Sequence, residues 1–469
     1  MTATDPALLS ATEQLRLYRR KDLSPVEVTR AALTRIERWN GAVNAFVLVD
    51  ADRALAQARA SERRWAAGEP CGLLDGVPTT VKDLLLTEGW PTLRGSFAVD
   101  EAGPWTEDAP AVARVRRHGA VLIGKTTTPE FGWKGVTDSL RFGITRNPWN
   151  LERTPGGSSG GAAAAAALGL GTLHFGTDGG GSIRIPCAFT GLFGLKPSFG
   201  RVAAAPLSPF GTVSHVGPMT RTVEDAALML AAMAGDDPRD WFALPGEAPD
   251  YRIGLHDGVR GLRIGFARTI AGAVVAPEVA RSVAAAVDHL AGLGAIVDEV
   301  EPPIGDASEI FAKHWYAGAM NLLAGIPAER HARIDPGLRA IAAEAERWSL
   351  QDYLSAVAAR GRLGVAMKRF HTRFDLLATP ALPITAFAAG TNVPGSGPYA
   401  GWQDWTPFSW PFNLTQQPAC SIPCGLDRDG LPIGLQLVGR IQEDALVLRA
   451  ARALEAALPW SLPDEPRGG

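Results

Sequence analysis

The sequence predicts an α/β fold: a single large domain whose central mixed, largely parallel β-sheet is covered by helices on both faces. Three observations predict it. Short apolar runs alternate with stretches whose apolar residues recur at helical spacing. No Ser/Gly-rich, Pro-rich or like-charged linker divides the 469 residues. Hydrophobic residues make up 46% of the chain, enough for one sizeable core.

The elements follow in order. Ser24-Pro25-Val26-Glu27 is a capping box with proline at the first helical position. Val28, Ala32, Ile36 and Trp39 then place residues 25 to 39 on an amphipathic helix. Asp52 to Ala67, rich in Ala, Arg and Glu, reads as a second helix, and Gly76 to Leu86 as a strand carrying Lys82. Pro110 to His118 is helical and stops at Gly119; Ala120 to Ile123 is a buried strand. Ala162 to Leu168 reads as helix and Thr172 to Gly176 as a short strand. Thr222 caps a helix from Val223 to Ala234, with Asp225 as its third residue. Leu262 to Phe266 and Ala295 to Val300 are strands around a helix, Pro277 to Leu293, that shows Val279, Val283, Val287 and Leu290 on one face. Phe374 to Thr379 and Ala419 to Pro423 read as further strands, and Glu443 to Ala457 as a last helix.

Composition excludes several functions. A net charge of −3 makes no electrostatic case for nucleic acid or an anionic membrane. Gly156 to Thr177 is uncharged and long enough to span a bilayer. It opens with Gly and Ser and is mostly alanine, so a buried helix is expected there instead. Met1 to Pro6 shows no basic segment followed by an apolar one, hence no secretory leader is expected. The four cysteines make no disulfide framework, and the C-x3-C spacing of Cys420 and Cys424 lacks a second pair for zinc. A cytoplasmic protein with reduced thiols, no metal and no cofactor is the expectation.

The chemistry is concentrated in three segments. Gly76-Val77-Pro78-Thr79-Thr80-Val81-Lys82-Asp83 sets a lysine in an apolar run. Desolvation lowers a lysine pKa, so Lys82 can be neutral near pH 7 and accept a proton; snorkelling to the surface is the ordinary alternative. Pro155-Gly156-Gly157-Ser158-Ser159-Gly160-Gly161 brackets two serines with glycine. Either serine would serve as a simple helix cap, but a cap does not need four flanking glycines. Twenty-four residues after Ser158 comes Ser182, in Asp178-Gly179-Gly180-Gly181-Ser182-Ile183-Arg184. A glycine-rich turn is the commonest fate of such a run. The backbone N–H groups of Gly179, Gly180, Gly181 and Ser182 can instead converge on one point and stabilise an oxyanion. Asp178 and Arg184 flank this nest and are expected to pair. A serine with a base and an oxyanion site points to acyl transfer.

These motifs, in this order and spacing, resemble the amidase signature family, whose members use a Ser–cis-Ser–Lys triad. The resemblance implies that Lys82 is the base, Ser158 the bridging serine after a cis peptide, and Ser182 the nucleophile, with Ser159 in support. Phe193-Gly194-Leu195-Lys196-Pro197, His215-Val216-Gly217-Pro218-Met219 and Gly430-Leu431-Pro432-Ile433-Gly434-Leu435-Gln436 are also similar to family landmarks. Thr128 to Trp133 matches a segment lining the acyl channel, which implicates Gly132 and Trp133 in substrate binding; Trp133 serves equally well as ordinary core. The resemblance implies one amidase domain: a helical region 1–70, a catalytic core 71–235, a divergent specificity region 236–405 that matches least from about 300 onward, and a closing strand and helix in 406–469.

Two motifs mislead. Gly119 to Thr126 satisfies the phosphate-loop pattern G-x4-GK[ST], but an apolar strand fills the place of the loop. Gly156 to Gly160 fits the G-x-S-x-G elbow of Ser-His-Asp hydrolases, but a proline-containing loop approaches it where that elbow needs a strand, and the eight histidines are scattered. The expected function is therefore a metal-independent hydrolase of carboxamide bonds, acting on hydrophobic or aryl amides, with carbamates and esters open. Trp133, Trp315, Trp402, Trp405 and Trp410 suggest an apolar pocket. One alternative is a glutamine-amidotransferase component that supplies ammonia to a partner protein, although Trp348-Ser349-Leu350-Gln351-Asp352-Tyr353 lacks the tyrosine-rich segment that the resemblance implies for it. The other is a non-catalytic binding protein of the same fold. The chain is expected as a monomer or a homodimer.

Overall fold

A computed structural model describes residues 5–468. Met1 to Thr4, where a leader would begin, lie outside the described residues. Among the described residues the strands are β1 (Phe46–Val49), β2 (Pro78–Lys82), β3 (Val121–Thr126), β4 (Asp138–Ser139), β5 (Gly143–Ile144), β6 (Leu173–Asp178), β7 (Phe193–Lys196), β8 (His215–Thr220), β9 (Arg263–Phe266), β10 (Ile296–Glu299), β11 (Leu376–Pro380), β12 (Ala419–Leu426) and β13 (Pro432–Gly439). Eleven form one sheet in the order β1-β3-β2-β6-β8-β7-β12-β13-β11-β9-β10, while β4 and β5 pair separately. The sheet is mixed. Its parallel ladders form two blocks, β3-β2-β6 and β11-β9-β10, with antiparallel ladders between them and a further antiparallel ladder joining the edge strand β1 to β3.

Local sequence explains many of the elements. The helix Pro25–Val43 starts on the predicted capping box, with Ser24 Oγ and Glu27 both engaged. Thr222 accepts the Asp225 N–H at the start of Val223–Met233. The helix Pro277–Gly292 buries Val279, Val283, Val287 and Leu290, the stripe its period marks. Gly160–Ala167 is a short helix with every residue buried, and among the described residues no helix is long and apolar enough to cross a membrane. Its small side chains let it lie inside the molecule against Ile183, Cys187 and Met219.

One strand ends earlier than expected. β2 stops at Lys82, where both Leu84 and Leu85 donate N–H groups to the Lys82 carbonyl, at 2.8 and 3.0 Å. The apolar residues after Lys82 thus belong to a turn, not to the strand. The turn matters for the site, because it leaves Lys82 at the carboxyl end of β2. β6 runs parallel beside it, with Thr80 opposite His174, and ends at Asp178. Ligand sites in α/β sheets gather at these strand ends.

Candidate active site

Lys82 is fully buried, and its Nζ is held by three hydroxyls: Ser158 Oγ at 2.7 Å, Ser159 Oγ at 2.8 Å and Thr177 Oγ1 at 2.9 Å. Among the described residues no carboxylate touches it. Burial lowers its pKa well below the ordinary lysine value, and the charge of Asp178 opposes that shift only in part. The snorkelling alternative is thereby ruled out.

The glycine loop before Gly160–Ala167 delivers both serines to Lys82. Gly157–Ser158 is a cis peptide bond. Ser159 occupies the cap position of the helix, but its hydroxyl makes no cap hydrogen bond. It accepts from Lys82 and from the Thr177 N–H at 3.3 Å instead. Gly132 closes the other side. A Cβ there would stand 3.2 Å from Ser158 Oγ and 2.8 Å from Leu84 Cδ1, so only glycine lets this backbone, at φ +73°, lie against the serine.

Ser182 lies across from these groups, with its carbonyl accepting the Ser159 N–H at 3.3 Å. Among the described residues no hydrogen bond joins the Ser158 and Ser182 hydroxyls. The loop before Ser182 is shaped by Asp178. Its carboxylate accepts the N–H groups of Gly181 at 2.8 Å and Ile183 at 3.2 Å. This corrects one expectation: the Gly181 N–H is spent on Asp178 and is not an oxyanion donor. The N–H groups of Gly179, Gly180 and Ser182 have no acceptor among the described residues.

Asp178 and Arg184 pair as expected, both fully buried, at 2.9 Å. Burial alone would raise the Asp178 pKa. Arg184, Lys196 and the Asn413 amide overcome it and hold the carboxyl well below its usual range. Three groups escaped the sequence reading. Arg184 also donates to Gln436 Oε1 and the Ser409 carbonyl, each at 2.8 Å, and to Asn413 Oδ1 at 2.7 Å. Ser409 Oγ donates to the Gly180 carbonyl at 2.8 Å. These partners lie more than 220 residues away in sequence, and a lone Ser or Asn carries no local signature; only Gln436 sat in a motif already singled out.

An aromatic group covers the nest. A Cβ on Gly179 would approach the Trp315 ring to 2.8 Å, and one on Gly180 would approach Trp402 to 2.7 Å and Phe311 to 2.9 Å. Trp315 stacks on Phe210 with centroids 3.7 Å apart. Of the five tryptophans singled out, only Trp315 and Trp402 reach the glycines. Trp133 stands behind, its carbonyl accepting Trp315 Nε1–H at 3.0 Å; Trp405 stacks on Phe189 in the core, and Trp410 on Phe311.

The misleading motifs are resolved. Lys125, of the phosphate-loop pattern, is buried in β3 and bonded to Asp83 at 3.3 Å and the Leu85 carbonyl at 3.0 Å. It braces the turn after Lys82. Among the described residues no histidine hydrogen-bonds Ser158 or Ser182. His215, whose pKa burial forces well down, bonds the Val213 carbonyl at 2.9 Å.

This geometry agrees with what the chain is similar to. Residues 27–448 match the Amidase family model. The chain belongs to the amidase family. An acylamidase of Rhodococcus erythropolis is 37% identical over 98% of both chains. One component of the glutamyl-tRNA(Gln) amidotransferase of Thermosynechococcus vestitus is 37% identical, covering 94% of this chain and 96% of its own. The crystal structure of a bacterial aryl acylamidase of the amidase signature enzymes superposes with a TM-score of 0.89 at 33% identity, covering 96% of each chain. As an amidase, the protein is a hydrolase of carbon–nitrogen bonds in linear amides.

Proposed function

We propose that this amidase cleaves amides through an acyl-enzyme on Ser182, and that its substrates carry an apolar or aryl arm. The observation that carries the proposal is Lys82: a fully buried amine, with no carboxylate against it among the described residues, bonded to Ser158. Neutral Lys82 takes the Ser158 proton while Ser158 takes the Ser182 proton. Ser182 Oγ bonds to the carbonyl carbon, and the N–H groups of Gly179, Gly180 and Ser182 receive the oxyanion. The proton returns through Ser158 to the leaving nitrogen as the C–N bond breaks. Water then repeats the steps and frees the acid. A hydroxyl has one proton and two lone pairs, so Ser158 can relay in both directions. The relay's second link forms when Ser182 turns toward Ser158, a tightening that substrate commonly brings about.

Trp315, Trp402 and Phe311 beside the nest favour an apolar or aromatic arm. Carbamates and esters present the same carbonyl geometry and belong to the same screen. Aliphatic amides, anilides, aryl carbamates and aryl esters are assayed with wild type and Ser182→Ala. Turnover of anilides lost in the variant is expected; anilide turnover that survives it overturns the reading.

The likeness to an amidotransferase component, as close in identity as that to the acylamidase, favours a second reading in which glutamine is the ammonia source for a partner. Ammonia release from glutamine, with no release from anilides, would select it.

A further inference from the structure

A small cavity of about 80 Å³ opens beside the triad, lined by Leu84, Phe131, Thr177, Pro206, Ser214 and Arg94 among others. Thr177 is the third partner of Lys82, and Leu84 meets Gly132 beside Ser158. The cavity is thus one residue from the reacting groups.

Arg94 is the unusual part of its wall. It is half-buried, yet its guanidinium has no hydrogen-bond or ion-pair partner among the described residues. Three other arginines withdrawn from solvent are bonded: Arg184 to Asp178, Arg221 to the Leu9 carbonyl at 2.8 Å, and Arg360 to the Leu414 carbonyl at 2.7 Å; Arg114 and Arg153 lack partners among the described residues too, but neither lines this cavity. Arg94 is also held in place. Its φ is +55°, a conformation that non-glycine residues adopt rarely and mostly where the surroundings impose it. Its carbonyl accepts the Phe131 N–H at 2.7 Å, and the Leu93 N–H before it donates to Asp83 Oδ1 at 3.2 Å. The backbone of Arg94 is therefore tied both to the neighbour of Lys82 and to the neighbour of Gly132. Five N–H donors with no protein acceptor suit a planar anion.

Resting on the amide-hydrolysis reading above, we propose that Arg94 binds a carboxylate carried on one arm of the substrate. The natural substrate is then an amide with a short anionic arm and an apolar one. The space of about 80 Å³ beside Arg94 is enough to seat a carboxylate.

Two matched pairs test this. Succinanilic acid and butyranilide place or omit the charge on the acyl arm; N-benzoyl-β-alanine and N-propylbenzamide do so on the amine arm. Wild type is expected to prefer the charged member of one pair by roughly ten- to a hundredfold, through KM. Arg94→Gln removes the preference and leaves the neutral member unchanged. Arg94→Lys, which keeps a charge near Asp83, retains part of it and serves where the glutamine variant does not fold. Equal rates within both pairs, or a variant that slows charged and neutral substrates alike, overturn the proposal in favour of a structural Arg94. If no member of either pair is hydrolysed, the reading for aryl amides fails. Calorimetry with succinate then still decides the role of Arg94: tighter binding to wild type than to the variant supports it, and equal binding overturns it.

Discussion

Lys82 Nζ stands 2.7 Å from Ser158 Oγ, a contact between a strand end and a glycine loop 76 residues apart in sequence. Neither group could do much alone. The lysine pKa is lowered because the sheet buries it, and the serine gains a base because the loop brings it there. Ser182 enters from a third segment, which Asp178 and Arg184 brace from beneath.

Activity should fall as pH drops. Lys82 must be neutral to accept a proton, and its pKa lies below the ordinary 10.5. Turnover is present above the lowered value and lost as pH falls through it. Stability follows the same sign: below 10.5 the unfolded lysine binds a proton that the folded one refuses, so Lys82 contributes less stability as pH falls toward its folded value. Lys82→Met should lose that limb together with nearly all turnover. Lys82→Arg should be inactive as well, since a guanidinium stays protonated; pH–rate profiles check both, and an active arginine variant would reject Lys82 as base.

A serine-directed sulfonyl fluoride or phosphonate should place one adduct on Ser182. Peptide mass spectrometry locates it. Labelling of Ser159 instead would reassign the nucleophile.

Ser158→Ala should fold like wild type and lose turnover by roughly 10²- to 10⁴-fold, the usual worth of a proton-transfer group. Thermal unfolding and steady-state kinetics on one preparation separate the two effects. Full activity in a folded variant would remove Ser158 from the relay.

Arg184→Met should cost about 3–5 kcal/mol of stability, because it leaves the Asp178 carboxylate buried without its cation. Urea unfolding measures this. Activity should fall too, since Asp178 holds the Gly181 and Ile183 N–H groups that shape the loop before Ser182.

Gly180→Ala should lower kcat/KM by pressing a methyl group against Trp402, which stands only 2.7 Å from its position. A second change, Trp402→Leu, should restore part of the loss. Failure of that rescue would separate Trp402 from the nest.

Much was legible in the chain. Proline and serine at a helix start, glycine at a stop and a stripe of Val279, Val283, Val287 and Leu290 are local signals, because helices are built from near neighbours. The glycine nests and the buried-looking lysine were legible for the same reason: each is a few consecutive residues whose backbone freedom or polarity is odd for its surroundings. Local sequence could not say that β2 ends at Lys82, since Leu84 to Leu86 suit a strand as well as a turn. Nor could it say which ladders run antiparallel, or that the Gly181 N–H turns to Asp178. Tertiary structure alone decided these points, along with the meeting of Ser409, Asn413 and Gln436 on Arg184 and the closing of Trp315 and Trp402 over the glycines. Each depends on contacts between residues far apart in the chain, and those exist only once the sheet has buried the charges and donors that must find partners there.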